Sequence, residues 1–204
     1  MIFGGRAVLV TKRPRCFQTL QRLDGKTLKF QKKDMTQIVK IKDSVLRQAA
    51  EEGMDAFVQV FVDAISEAVG GEMTAETFAK LHPDQITLWG YSILRSEVMD
   101  GGFVQLIHNG YAPFFFNNPF AKAMRLWGLK DLCKLVYKAK DEYDLTGDSL
   151  TRECTEDEFM ALFEAHPQFD DLDDKFVENE EEYTAAIAQY VDEHIENFAE
   201  IVAE

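Results

Sequence analysis

From Asp43 onward the apolar residues of this chain recur three and four positions apart, and no segment alternates convincingly with a period of two. That spacing lines apolar side chains along one side of an α-helix. The expected fold is therefore all-α, a single-domain multi-helix bundle. Ser44 can cap a short first helix over VLRQAAEE, and Gly53 breaks or bends it. In MDAFVQVFVDAISEAV, residues 54–69, the residues Phe57, Val58, Phe61, Ile65, Ala68 and Val69 share one broad face, widened by Val60, Val62 and Ala64. A helix apolar nearly all round belongs at the centre of a bundle.

The punctuation between segments is helical as well. Gly70-Gly71 ends the central helix, Thr74 caps a short one that turns Phe78 and Leu81 inward, and His82-Pro83 starts another over 84–99. A glycine pair then interrupts, a second short helix runs over 102–109, and Asn109-Gly110 ends it. Tyr111 to Phe116 reads as a dense aromatic loop, and Asn118-Pro119 restarts a helix that continues through LKDLCKLVYKAKDEYD. Thr155 with Glu158 forms a capping box ahead of Phe159, Leu162 and Phe163. Phe169, Leu172 and Phe176 should dock the charged stretch after Pro167 along one edge, and a last helix is expected over about Glu180 to Val202.

With 204 residues, 46% of them apolar, the chain can bury one sizeable core without disulfides or a structural metal. Cys16, Cys133 and Cys154 are few and far apart, as expected of reduced thiols in a cytoplasmic protein, and Cys133 sits in an apolar helical stripe. No run approaches the roughly 20 apolar residues of a membrane span, and the first residues lack the basic start and hydrophobic stretch of a secretory signal.

Charge divides the chain. Residues 1–50 carry 12 Lys+Arg against 3 Asp+Glu, whereas residues 141–204 carry 2 against 22, within a net charge of -14. The division gives a basic N-terminal segment over residues 1–42, expected to be poorly structured, and a helical domain over 43–204. That domain is split into a core over 43–145 and an acidic helical region over 146–204. Residues 1–34 read either as an extension foreign to the natural product or as a basic arm that lies on an acidic tail. A dense anionic surface repels nucleic acid and anionic membranes and attracts basic partners.

Little in the sequence points to catalysis. His82, His108, His166 and His194 are isolated, with no H-x-x-x-H or H-E-x-x-H spacing, and DEYDLTGDSL lacks the regular ligand spacing of a calcium loop. No phosphate loop, G-x-S-x-G or Cys-His signature is present, so neither metal, cofactor nor enzymatic activity is expected. One stretch asks for an explanation: EVMDGGFVQLIHNGY, residues 97–111, which sets polar groups among apolar ones. On a helix Gly102, Gln105 and Asn109 lie along one side, where a glycine admits a neighbouring backbone and two amides can bond its carbonyls or loose helix ends. Glu97 could pair with Arg95, His108 or Arg125. The rival reading makes Glu97, Gln105, His108 and Asn109 a ligand or catalytic pocket.

These same residues carry a resemblance. Glu97-Val98, Gly101-Gly102-Phe103, Gln105 and Asn109 resemble the E-V-x-N-G-G-F-x-Q-x-x-x-N signature of a bacterial domain of unknown function typified by an acidic DNA-mimic protein. Asp100 stands where the signature has asparagine, and the aromatic stretch Tyr111 to Phe120 departs from the pattern. The resemblance covers roughly residues 43–145. It implies an all-helical fold and, by similarity to the best-studied type, a dimeric duplex-DNA mimic that occupies the DNA-binding surface of a helix-turn-helix repressor.

Independently of the resemblance, 22 carboxylates follow residue 140. The expectation is an acidic protein-interaction module, with sequestration of a basic DNA-binding protein as its specific form and no direct contact with nucleic acid or membrane. Asp170, Asp171, Asp173, Asp174, Glu181, Glu182, Asp192, Glu193 and Glu196 are the expected stand-ins for phosphates. Two acidic helix faces side by side would approximate a short duplex, and a homodimer is left open.

Overall fold

The computed structural model describes residues 38–71, 74–152 and 154–203. The expected extension or arm over residues 1–34 lies outside the described residues. The elements run β1 (Lys40–Lys42), α1 (Asp43–Glu52), α2 (Met54–Val69), α3 (Ala75–Phe78), α4 (Pro83–His108), α5 (Ala112–Asn117), α6 (Phe120–Leu126), α7 (Lys130–Thr146), α8 (Glu156–Glu164), α9 (Asp170–Glu193), α10 (Ile195–Phe198) and β2 (Glu200–Val202). Short 3-10 turns at Gly147–Leu150 and Pro167–Phe169 precede α8 and α9. The protein is a single-domain all-α bundle.

Two long helices, α4 and α9, form its axis and run antiparallel. Asn197, just beyond α9, donates to Asp84 at 2.8 Å, and the Gln85 amide donates to the Phe198 carbonyl at 2.7 Å. Tyr91 meets Thr184 at 2.8 Å, Arg95 bonds Glu180, and the Phe103 amide donates to Asp173 at 2.8 Å. As the residue number rises on α4 it falls on α9. Helix α2 packs against both, burying Phe61 and Ile65, and α7 closes the other side of α9 with Leu132, Leu135 and Val136.

Local signals explain most of the boundaries. Thr155 accepts from the Glu158 amide while the Glu158 carboxylate accepts from the Thr155 amide at 2.8 Å, which is the expected capping box. Thr74 caps α3 in the same reciprocal way with Thr77. Pro83 opens α4, and its one interruption falls at Gly101 and Gly102, where the backbone leaves helical geometry. Ser44, in contrast, is no cap: α1 begins one residue earlier, and Asp43 instead accepts from Arg47 at 2.6 Å.

Three expectations are corrected. The aromatic stretch is not a loop: Ala112–Asn117 is α5, which buries Phe114, Phe115 and Phe116, with Phe115 edge-on to Phe120 at 4.9 Å. The last helix does not run from Glu180 to Val202; α9 starts at Asp170 and stops at His194, where the backbone turns. Two strands also exist among the described residues. β1 and β2 pair in parallel, Lys40 with Glu200 and Lys42 with Val202, and this buries Val39 and Ile41. Residues 38–42, which composition places with the basic segment, thus pack on the helices.

Candidate functional site

The glycine-centred motif sits where α4 passes the first turn of α9. Glu97 lies one turn before the break, and its Oε2 accepts from Asn109 at 2.7 Å and from Gln105 at 3.1 Å, while Gln105 also donates to Asp100 at 3.1 Å. The amides therefore bond carboxylates across the break, where backbone carbonyls or loose helix ends were expected. Burial raises the Glu97 carboxyl above its ordinary value, the two amide hydrogen bonds lower it, and Asp100 adds a smaller upward push. Arg95 does not join this group; it bridges Glu180 on α9 and Asp55 on α2, the latter at 2.7 Å.

The glycine pair restarts the helix, and a restarted helix presents bare amides. Asp173 of α9 serves as a cap from outside the chain segment, its Oδ1 accepting from the Phe103 amide. Gly102 has φ 70° and ψ -174°, and a Cβ there would collide with the Asp173 carboxylate. A Cβ on Gly101 would strike the Gln105 side chain. Phe103 itself is wholly buried. The motif residues thus close a helix break against α9.

Asp173 is consequently a poor phosphate stand-in. Its Oδ2 is buried and has no hydrogen-bond partner among the described residues. Burial pushes its carboxyl up to about 7, Asp170 and Asp174 add to this, and the Phe103 hydrogen bond opposes it. A carboxyl raised above its ordinary 3.8 holds a proton more tightly in the folded chain, so its stabilising contribution is full below that pH and is lost as pH rises through about 7. Between about pH 5.5 and about pH 8 the unfolding free energy should fall by about 1–2 kcal/mol, after allowance for partial solvent access. Urea titrations at both pH values, with Asp173→Asn flattening the difference, would check this.

The other expected stand-ins face solvent. Asp170, Asp171, Asp174, Glu181, Glu182, Asp192, Glu193 and Glu196 are all exposed, as is Glu178, which was not among them. At about 100° per residue, Asp170, Asp171, Asp174, Glu178, Glu181, Glu182 and Asp192 fall within an arc of about 120°. Leu172, Phe176, Glu180, Tyr183, Ile187 and Val191 occupy the opposite side, and Asp173 falls with them. The stripe is interrupted between Glu182 and Asp192, where Ala185 and Gln189 take its positions. Its flanks differ: α2 exposes Asp55, Asp63 and Glu67 and has no basic residue, whereas α7 exposes Lys130, Lys134 and Lys138. The α7 flank is thus of mixed charge and does not form the second acidic face expected.

The fold also joins groups that sequence reasoning kept apart. His108 turns away from Glu97: its Nδ1 lies 3.1 Å from the Leu150 carbonyl and its Nε2 3.8 Å from the Cys154 thiol. The expected pocket of Glu97, Gln105, His108 and Asn109 therefore does not assemble around all four. A cavity of about 280 Å³ lies instead between α2, α4 and α9, lined by Asp55, Tyr91, Arg95 and Thr184 among others. Among the described residues no cluster of His, Cys, Asp and Glu could hold a metal ion, and no helix is long and apolar enough to cross a membrane.

Residues 79–194 match the family model described as DMP19-like protein. The protein called DNA mimic protein DMP19, from Neisseria meningitidis serogroup B (strain ATCC BAA-335 / MC58), is 34% identical over 129 residues, which is 62% of this chain and 77% of that protein. The family match starts later and ends later than the 43–145 span of the motif resemblance. It takes in the α4–α9 pair and the acidic stripe.

Proposed function

Because the chain belongs to the DMP19-like family, we propose that it is a DNA mimic, presenting the exposed carboxylates of α9 and the following turn to a basic DNA-binding protein in place of phosphates. The observation that carries this reading is the spacing of the stripe. Asp170, Asp171, Asp174, Glu178, Glu181 and Glu182 are exposed on one helix, six charges over about 18 Å at about 1.5 Å per residue. That is about 3 Å per charge, against about 3.4 Å of axis per phosphate along one DNA strand. The acidic exposed side of α2 extends the same field. A DNA-binding regulator offers Lys and Arg arranged for such a row, and the pairing is a competition for its nucleic-acid surface.

The test is capture from host lysate by the full chain, beside a variant with Asp170, Asp171 and Asp174 changed to Asn and Glu178 to Gln. Asp173 is left intact because its role is in folding. The parent should retain a DNA-binding protein that added duplex DNA displaces, and the complex should weaken by about tenfold or more between low and moderate salt. The variant should lose at least about tenfold in affinity. An affinity indifferent to both salt and substitution would exclude electrostatic mimicry.

A further inference from the structure

His108 and Cys154 lie 46 residues apart and meet where the end of α4 faces the start of α8. A carbonyl can only accept, so the 3.1 Å contact with Leu150 O places the imidazole hydrogen on Nδ1. In neutral His108 the Nε2 lone pair is then the atom facing the thiol. Phe159 packs against the imidazole with centroids 4.9 Å apart and the rings tilted by 51°. This is the arrangement of an activated nucleophile, with thiol, base and a third group that orients the base. Cys154 is half-buried and directly precedes Thr155, the cap of α8.

Two comparisons within the chain sharpen the point. Cys133 is buried, and burial pushes its thiol up, as for an inert core cysteine. His166 repeats the Nδ1 contact with a carbonyl, Leu162 O at 2.7 Å, but its neighbour Ser149 also lies within hydrogen-bonding range of Thr146 O, at 3.0 Å. Among the described residues, only the Cys154 site joins an imidazole to a thiol.

We propose that Cys154 is a modification site for small disulfides, with His108 as its base. The thiol proton passes to Nε2 of His108, and the Cys154 sulfur attacks one sulfur of the disulfide. The new S–S bond forms as the old one breaks, and the departing thiolate takes a proton from His108 or water. Exposed Asp157 and Glu158 stand in the first turn of α8, opposed by Arg152. They select a neutral or cationic disulfide over an anionic one.

The probe is cystamine, used on the full chain with Cys16→Ser so that Cys133 and Cys154 are the thiols present. Intact mass followed over time should show a single adduct that Cys154→Ser abolishes. It should form about tenfold faster than in the urea-unfolded chain, and His108→Gln should slow it about tenfold. The comparison of the folded with the unfolded parent stands even if His108→Gln fails to fold. Relative to the unfolded chain, cystamine should outpace the anionic dithiobis(nitrobenzoate). Adduct formation at Cys133, or a folded rate no higher than the unfolded one, would overturn the proposal.

Discussion

Arg95→Ala is expected to lower the unfolding free energy by about 3 kcal/mol, the lower end of the range for breaking a buried ion pair. Arg95 projects from the middle of α4 and bonds Glu180 of α9 and Asp55 of α2. Its partners differ in environment: Asp55 is largely in water, but the Glu180 side chain is only 9% exposed. Without the guanidinium, Glu180 would keep the Thr184 hydroxyl, which donates to it at 2.8 Å, and would have no counter-charge among the described residues. Removing one partner of a buried pair costs more than the pair contributes, because the survivor stays desolvated. Replacing both, Arg95→Met with Glu180→Leu, should therefore recover most of the loss. Urea unfolding of the three variants decides the matter; a single-variant loss below about 1 kcal/mol would mean that the bridge behaves as a surface pair.

Gly102→Ala should cost a similar amount, about 3–4 kcal/mol, for two separable reasons. Its φ of 70° with ψ of -174° lies in a region open essentially to glycine alone. The new methyl would also displace the Asp173 carboxylate and so uncap the Phe103 amide. A double-mutant cycle with Asp173→Ala separates the two. The collision disappears in that background and the backbone strain remains, so Gly102→Ala should cost about 1–2 kcal/mol less there. Equal costs in both backgrounds would show that the carboxylate moves aside freely.

Much of this architecture was readable because helices announce themselves locally. The Thr155–Glu158 box, Pro83, the glycine pair and the stripe of α2 each follow from neighbours within four residues. What escaped reading depended on distant ones. The start of α9 was hidden because Glu180 occupies a core position between Phe176 and Tyr183, so the apolar stripe seemed to break. A buried acid within a stripe is intelligible only with Arg95 placed opposite it, 85 residues away in sequence. Asp173 looked like its neighbours for the same reason, although its angular position already put it on the inward side. The strands KIK and EIV are too short for any alternation to register. The meeting of His108 with Cys154 depends on how α8 folds back, which no spacing encodes.

The strand pair has a kinetic consequence. Lys40 and Glu200 stand 160 positions apart, and joining them in an otherwise unfolded chain would cost about 4–5 kcal/mol of loop entropy. Three-residue strands cannot repay that. The cost shrinks once α4 and α9 lie side by side, since Gln85 of one already holds the carbonyl of Phe198 beyond the other. The clasp between β1 and β2 is therefore expected to close after α4 and α9 have paired. In the native state it is expected to open before the paired long helices separate.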